Sequence, residues 1–590
     1  MKKIFWVVMA FVLSATAAFA ASANITFDQI PAGTKKPGTY VEQDTSLANR
    51  ALPSMARKVL VIGQKLGARV EREIWQGGTL DDLTSGGTYT ATGMKRYRVK
   101  ISTTGTPDQM QYSDDNGATW SVASNVTTTM ALSSGVTLTF GATTGHAASE
   151  EWRFNAWPAG TATAETAAQI FSDGGAATAY GMGSVAHLMA RAAMQRNPYL
   201  DLSVVSLDDS GAGVASSATL TIANTATAAG ALRFYAGDQY VDVAIASGNT
   251  NTTVARDLAN AIATKGDLPV TAMNASNVLT LTAKNKGTVG NDIGLGYTLT
   301  AGIGTSITVS AMSSGATDPA IQDALDAVYS TRYHLLVSPY NNQTALGTLK
   351  IHVEEVSNAV EQRGTVGIYA TTGTLSAATT LASQVNSIRI AGAYLRYTAG
   401  TTQKRTPSWM LASMTAAGIA ADPDVSGPVK HLALAKAAAP TGADRLSRTE
   451  QEACLIGGVS PIEVGPGETS RLVRMPLTYT LDTNGQAVFV DVHKMFGLDY
   501  VRDAVIADIS ALAPSKIVRE GTATTVNILR NIVLSTAYKC QQAGQLTGVT
   551  SYKDQYIVEE DLTNVGQMNI MMPSPVADGL YVTAVKQVLY

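Results

Sequence analysis

From about residue 318 the sequence alternates short apolar runs with segments of helical periodicity. The spacing of Ile321, Leu325 and Val328 marks one face of a helix, and the run YHLLV that follows predicts a buried strand. The alternation continues with a helix over 346–360, strands over 365–370 and 387–391, and a helix over 408–420 with Ser408 as its N-cap. Strands that alternate with helices predict a largely parallel, doubly wound sheet.

Two earlier stretches have the same character. KVLVIG at 58–63 predicts a buried strand, and a second strand, DLSVVSL, follows a helical Ala- and Met-rich segment. We therefore predict that residues 57–70 and 159–211 form the first part of an α/β core, and that residues 301–447 form its main part.

Residues 71–158 interrupt this core with a different composition. Thr, Ser and Gly dominate, and short runs alternate apolar with polar residues, as strands with one buried face do. We predict an inserted β-domain over this range.

A second interruption spans 212–300. Strand-like runs surround a segment in which Val254, Leu258 and Ile262 recur every four residues, which places them on one face of a helix. We predict a small α/β module.

The last region, 448–590, combines a β-stretch with two helices and ends in residues that favour strands. The apolar residues of this end are Leu580, Val582, Val585 and Val588. A terminal strand without an evident partner in its own chain is a candidate for pairing with a neighbouring chain.

The amino terminus contains two further segments. Residues 21–56 have scattered apolar residues and repeated Pro and Gly, so we predict an extended arm. Residues 1–20 have a charged start, a short apolar run and an Ala-Phe-Ala end, the pattern of a secretory signal peptide. An extended gene start is the alternative explanation of that leader.

Composition narrows the possible functions. Charged residues make up 15% of the 590, the net charge is -3, and no long basic run occurs, so neither nucleic-acid binding nor a membrane span is expected. The two cysteines, Cys454 and Cys540, do not make a disulfide framework, and we expect unpaired thiols, with one bridge between them as the alternative.

A search for catalytic motifs gives no candidate. The sequence has no phosphate-binding loop and no nucleophile elbow, and its six histidines are scattered. His352 beside Glu354 and Glu355 resembles a metal cluster, but neighbours on a helix point to different faces, so a solvated face is expected there. We predict a protein that is not an enzyme, with no cofactor and no metal.

One motif in the insert is sharp. Ser113, Asp115, Gly117, Thr119 and Trp120 spell S-x-D-x-G-x-T-W, which resembles the Asp-box hairpin of sialidases and other propeller proteins. Its carboxylate is expected to accept hydrogen bonds from the loop, with the tryptophan packed behind. A single copy predicts a structural hairpin.

The order of several segments resembles that of Mu-like contractile phage tail sheath proteins. The matching pieces include NITFDQIPAGTKKPGTYVEQD at 24–44, KVLVIGQ at 58–64, and stretches at 161–206 and 268–293. Further matches are LVSPY, Arg474 with Thr478 and Tyr479, and a helix that opens on Tyr-Val-Arg. Leu477 departs from the family pattern, and the insert and the signal-like leader are additions to it.

The segment patterns together with the resemblance predict a multidomain protein of class α/β plus β, with an α/β sheath core, inserted β-domains and extended terminal arms. It implies a homo-oligomer of stacked, hexameric rings that contracts around a tail tube protein and meets baseplate and tail terminator proteins, in a virion tail assembled in the host cytoplasm. The expected linking residues between subunits are Ile25, Phe27, Tyr40, Val41, Leu580, Val582, Val585 and Val588.

Two other functions remain open at this point. A secreted surface-layer or adhesin-like protein would explain the leader, the Thr/Ser-rich modules and the low charge. A carbohydrate-binding or carbohydrate-active protein would explain the Asp-box.

Overall fold

The computed structural model describes residues 57–397, 404–512, 516–521 and 524–588. The leader predicted at 1–20 and the arm predicted at 21–56 lie outside these residues. So do four of the expected linking residues, Ile25, Phe27, Tyr40 and Val41.

The strands and helices are numbered in chain order. The first are β1 (Lys58–Gln64), β2 (Arg69–Val70), β3 (Ile74–Trp75), β4 (Leu83–Gly87), β5 (Lys95–Thr103), β6 (Gln109–Ser113), β7 (Ser124–Asn125), β8 (Thr129–Ala131), β9 (Val136–Phe140), β10 (Glu151–Trp157), β11 (Ala167–Gln169), α1 (Asp173–Tyr180), α2 (Val185–Arg196) and β12 (Asp201–Leu207). There follow β13 (Ala215–Ala223), β14 (Gly230–Ala236), β15 (Gln239–Ile245), α3 (Asn251–Thr264), β16 (Val270–Ala275), β17 (Val278–Lys286), β18 (Leu295–Leu299) and β19 (Ser306–Val309).

The remaining elements begin after the second module. They are α4 (Gln322–Val328), β20 (Leu335–Val337), α5 (Gln343–Val356), β21 (Val366–Thr371), α6 (Leu375–Val385), β22 (Ile390–Tyr394), α7 (Ser408–Ala420), β23 (Lys430–Ala433), α8 (Arg448–Ile456), β24 (Val459–Gly465), β25 (Thr469–Arg474), α9 (Val492–Ser510), α10 (Thr525–Gln542), α11 (Val549–Tyr552), β26 (Ile557–Glu560) and β27 (Met568–Met571).

A nine-stranded sheet organises the core, in the order β11-β12-β1-β20-β21-β22-β24-β25-β23. The six strands from β12 to β24 run parallel, and the strands added at the two sides are antiparallel. In β1 the side chains of Val59 to Ile62 are fully buried, as expected of a central strand covered on both faces. The predicted class, α/β plus β with several domains, is confirmed.

This sheet extends past the boundary that the sequence predicted at residue 447. Strands β24 and β25 join it through a parallel pairing with β22, in which Val459 lies opposite Gly392. The region after 448 therefore contributes to the core sheet before it forms helices of its own.

The insert is built around a separate apolar core. One sheet has the order β2-β10-β5-β6-β7, with β3 also on β10, and a second has the order β4-β9-β8. Tyr97 stacks on Phe154 with ring centroids 5.2 Å apart, and Phe140 meets Trp152 edge to face at 5.9 Å. These rings belong to a cluster distinct from that of the main core, so the insert has the packing of a domain.

A buried histidine is clamped inside that domain. His146 Nδ1 lies 2.9 Å from Asp108 Oδ2, and its Nε2 lies 3.0 Å from Asp82 Oδ1. Burial disfavours the charged imidazolium, but its hydrogen bonds to the carboxylates of Asp82 and Asp108, with the charge of Glu150 nearby, outweigh this effect and raise the pKa of His146.

The stability of the insert should therefore depend on pH. A raised folded-state pKa stabilises the domain fully below the unfolded value of about 6.5, and this stabilisation is lost as pH rises through the folded value. Hydrogen exchange of β5 and β10, corrected for intrinsic rates, should show weaker protection at high pH. His146→Gln should remove the pH dependence. Equal protection of the wild-type strands on both sides of the transition would contradict this.

The second module extends further than predicted. Its two sheets have the orders β16-β17-β13-β19 and β15-β14-β18, with α3 packed against them. Strand β19 lies beyond residue 300, and Ile307 pairs with Ile222 on β13. The predicted end at 300 fell short because the short apolar run SITV becomes a strand only through this long-range pairing.

The helices near the carboxyl terminus are tied to the amino ends of the parallel strands. The guanidinium of Arg389, just before β22, forms a two-point ion pair with Asp499 of α9, with Nη2 and Oδ1 2.9 Å apart. Both side chains are less than 10% exposed. Such a pair fixes the position of α9 because Arg389 without Asp499 would be a buried, uncompensated charge. Asp499 has a second partner in Arg502, with Nη2 and Oδ1 3.2 Å apart.

We predict that Asp499→Ala lowers the free energy of unfolding by about 3–5 kcal/mol, because Arg389 remains buried without its carboxylate. The midpoint of urea denaturation measures this. Asp242→Ala is the control, since it removes an ion pair with Arg233 in which both side chains are over 40% exposed. A variant at 499 as stable as this control would contradict the role given to the buried pair.

Candidate inter-subunit site

The carboxyl ends of the parallel strands are where doubly wound folds place their ligands. In this protein the second module packs against the carboxyl ends of these strands. The side-chain amide of Gln64, which ends β1, donates to Asp209 Oδ1 over 2.7 Å, and Asn285 of the module donates to the same oxygen over 2.9 Å. Polar groups at the carboxyl ends of the strands thus join the core to the second module.

A second contact between the module and the core, also near the carboxyl ends of the strands, buries a carboxyl group. Asp292 of the second module accepts hydrogen bonds from Asn341 Nδ2, 3.0 Å away, and from the hydroxyl of Ser408. Burial raises the pKa of Asp292. Ser408 was predicted to cap α7, but Pro407 occupies the N-cap and Ser408 is the first helical residue, with its hydroxyl used for docking.

The structure corrects one histidine prediction. His352 was expected on a solvated face with Glu354 and Glu355, but it is buried, and its ring meets that of Tyr329 edge to face at 6.1 Å. Burial lowers the pKa of His352 to about 4, so the ring is neutral. The residue lies on the inner face of α5, which its neighbours Leu349 and Val353 define.

Within the described ranges, no group of His, Cys, Asp and Glu side chains is arranged to hold a metal ion. Nor does any helix in these ranges have the length and apolarity to cross a membrane. Cys454 and Cys540 are buried free thiols, and burial raises the pKa of each to about 11. Such thiols are poor nucleophiles.

The Asp-box forms a closed hairpin turn in the insert. The carboxylate of Asp115 accepts from the backbone N–H of Thr119 at 2.9 Å and from its hydroxyl at 2.6 Å. The hydroxyl of Ser113 accepts from the N–H of Gly117 at 2.7 Å. Trp120 lies beneath Lys100 Nζ, 4.0 Å from the ring centroid. The polar groups of Ser113, Asp115 and Thr119 are engaged within the turn, and Trp120 packs on the neighbouring strand β5, as a structural hairpin requires.

The carboxyl-terminal segment carries four of the expected linking residues. Residues 579–588 form no strand within the described chain, which differs from the predicted terminal strand because the segment has no sheet partner there. The expected linking side chains are strongly exposed, as follows: Leu580 74%, Val582 80%, Val585 81% and Val588 57%. An apolar row of this kind marks a contact surface.

Tyr581 anchors the start of this segment. Its ring lies against the guanidinium of Arg474 at 3.8 Å, and its hydroxyl lies 3.1 Å from His493 Nδ1. Arg474 is itself held by Asp491, with Nε and Oδ1 2.8 Å apart. Tyr581 was not among the residues predicted from the sequence, although the alternation of Leu580 and Val582 places it on the opposite face of an extended chain.

Among the described residues, the outer side of strand β23 is unpaired, and it lies beside this anchor. Strand β23 ends the nine-stranded sheet and pairs on one side with β25, and Lys430 Nζ on it donates to the carbonyl oxygen of Leu580 at 3.2 Å. A groove of about 630 Å³ opens between β23, α8 and the terminal segment. Its lining includes Arg448, Ile456 and Val582. An open edge next to an apolar groove has the features of a strand-addition site.

Comparison with known proteins agrees with this architecture. Residues 314–475 match the family model described as the phage tail sheath protein central domain. A Mu-like prophage FluMu tail sheath protein of Haemophilus influenzae is 27% identical over 428 residues, which cover 70% of this chain and 86% of the relative. Residues 314–475 of this chain therefore match a phage tail sheath central domain. The resemblance seen in the sequence is confirmed, and the chain is a structural subunit of a tail sheath.

Two solved structures of sheath tail proteins are also similar to this sheath protein. One, from Desulfitobacterium hafniense, is 11% identical with a TM-score of 0.41, covering 71% of this chain and 91% of the other. The second, from Listeria innocua, is 10% identical with a TM-score of 0.36, covering 70% and 92%.

The matched central domain contains the later half of the core sheet, from α4 to β25. The open edge at β23 and the anchor residue Arg474 therefore lie inside the family domain, whereas the β-insert lies outside it. The candidate site thus belongs to the sheath core.

We predict that Tyr581→Ala releases the terminal segment from the sheath core. Loss of the ring removes the contact with Arg474 and the hydrogen bond to His493, so trypsin should cleave after Lys586 several-fold faster, as measured by mass spectrometry. Val585→Ala, at a strongly exposed position, is the control and should leave the rate unchanged. Equal cleavage rates in both variants would mean that Tyr581 does not anchor the segment.

Proposed function

We propose that this sheath protein polymerises as stacked, hexameric rings around a tail tube, and that contraction of the polymer drives the tube through the host envelope. Its partners would be further copies of itself, the tail tube protein, and baseplate and tail terminator proteins. The observation that carries the proposal is the exposed apolar terminal segment beside an open sheet edge.

The energetics favour an intermolecular role for this segment. Burying an apolar side chain of this size contributes roughly 1.5–3 kcal/mol, and pairing satisfies backbone N–H and C=O groups. Association entropy offsets part of this gain. A ring repeats the contact for every subunit, so its loss is felt many times in one polymer.

Strand addition also suits a polymer that changes shape. Main-chain hydrogen bonds between an arm and a neighbouring sheet allow one subunit to rotate relative to the next while the connection persists. The energy of contraction then resides in the packing of the subunits, and the absence of a phosphate-binding loop in the sequence agrees with this.

The virion tail is the location that this function requires, with assembly in the host cytoplasm. The signal-like residues 1–20 support export as the alternative. Mass spectrometry of the protein from producing cells separates the two, because a processed leader would remove the residues up to Ala20.

Electron microscopy of the purified protein in EDTA and nucleotide-free buffer tests the proposal. Tubes with stacked rings are expected. Flat lattices would favour a surface layer, and monomers that bind immobilised glycans would favour the carbohydrate function. Either outcome would overturn the sheath polymer.

The contribution of the terminal segment is testable by itself. We predict that changing its four exposed apolar residues to serine gives a folded monomer that forms no tubes, as seen by circular dichroism and electron microscopy. Thr583→Ala with Gln587→Ala, on the same segment, is the control and should assemble normally. Normal tubes from the serine variant would show that the link between subunits lies elsewhere.

A further inference from the structure

Both ends of the described core chain contact one short loop, residues 422–428. Arg57, the residue that follows the segment 21–56, contacts the loop from one side. Gln545 contacts the loop through Asp424 and Ser426, and Val576 lies nearby, against Gly497 of α9. We propose that this loop with Arg57, Gln545 and Val576 forms a buckle that couples the two terminal segments mechanically, with Arg57 as its positioning residue.

Arg57 is a buried cation that binds backbone rather than a carboxylate. Its guanidinium donates to the carbonyl oxygens of Ile419, Asp424 and Val425, the second at 3.0 Å. Ile419 lies in the last turn of α7, where exposed carbonyl groups attract a cation. Burial lowers the pKa of Arg57 to about 10, partly opposed by nearby aspartates, so the side chain is charged at neutral pH.

Gln545 continues the path on the other side of the loop. Its Nε2 donates to Asp424 Oδ1 at 3.1 Å, and its Oε1 accepts from the hydroxyl of Ser426. Its backbone carbonyl accepts from the N–H of Ala577 at 3.0 Å. Arg57 is thereby connected through Asp424 and Gln545 to Ala577, which lies two residues before the terminal segment.

A packing contact runs beside these hydrogen bonds. Arg57 lies 4.6 Å from the ring centroid of Phe496, and the next residue on α9 is Gly497. A methyl group added at Gly497 would lie 2.8 Å from Cγ1 of Val576 and 3.4 Å from Cβ of Ser426. Glycine therefore lets the terminal segment approach the helix and loop closely.

The consequence rests on the proposed function. If the segments 21–56 and 579–590 link a subunit to its neighbours, a pull on one reaches the other through this hydrogen-bonded network without passing through the nine-stranded sheet. Arg57, Ser426 and Gln545 are its buried members, and Asp424 is exposed. Well-packed, hydrogen-bonded interiors deform little and transmit such displacement. The two links of each subunit would then move together during contraction.

Hydrogen exchange on unassembled subunits tests the coupling, with the serine variant of the terminal segment as background. Arg57→Met should accelerate exchange at the amides of Thr547 and Ala577 by roughly ten-fold or more, because a charged hydrogen-bond donor is lost. Neither amide touches Arg57. Arg191→Met, which removes another buried arginine, should leave both amides unchanged.

Coupling between two sites acts in both directions, so a variant at Gln545 provides a second test. If the sites are coupled, Gln545→Ala should accelerate exchange at the amide of Lys58, which donates to His334 Nδ1 at 3.0 Å beside Arg57. This variant also decides the matter if Arg57→Met fails to fold. Unchanged exchange at Lys58, or changes confined to 419–425 in Arg57→Met, would overturn the buckle. Because subunits are measured before assembly, such a failure is distinct from failure to form tubes.

Discussion

The buried strand β1, the third of the nine strands of the core sheet, determines how the chain is arranged. This strand pairs in parallel with β12 on one side and with β20 on the other, through Val59 opposite both Leu202 and Leu335. The chain between these partners must leave the sheet and return to it twice. The chain forms the insert between β1 and β12 and the second module between β12 and β20, and β1 pairs with both of these strands.

The carboxyl ends and the amino ends of parallel strands differ chemically, and this protein uses the two ends for different purposes. At the carboxyl ends of the strands, Asp209 and Asp292 bind the second module to the core. At the amino ends, the ion pair of Arg389 and Asp499 holds α9, and Arg57 immediately precedes β1. The end of the sheet where enzymes of this topology bind ligands is thus occupied by the protein itself, whereas the opposite end holds α9 and Arg57.

The parts that the sequence predicted are those fixed by local pattern. The run KVLVIG is apolar on both faces and so had to be a buried strand, and Val254, Leu258 and Ile262 share one helix face in the structure. The Asp-box turn could be expected because its hydrogen bonds join residues close in sequence. His352 was misjudged because the two glutamates beside it hid the apolar spacing of α5. Strand β19 and the anchor Tyr581 depend on partners far away in the chain, and periodicity carries no information about those.

In the proposed polymer, the terminal segment completes a sheet in a neighbouring subunit. Cryo-electron microscopy of tubes formed by the full chain tests it most directly, at a resolution that traces the backbone. We expect residues 582–588 to form a strand hydrogen-bonded to the sheet of another copy, with their apolar side chains buried. A reconstruction in which these residues stay in solvent, or fold back onto their own subunit, would contradict it.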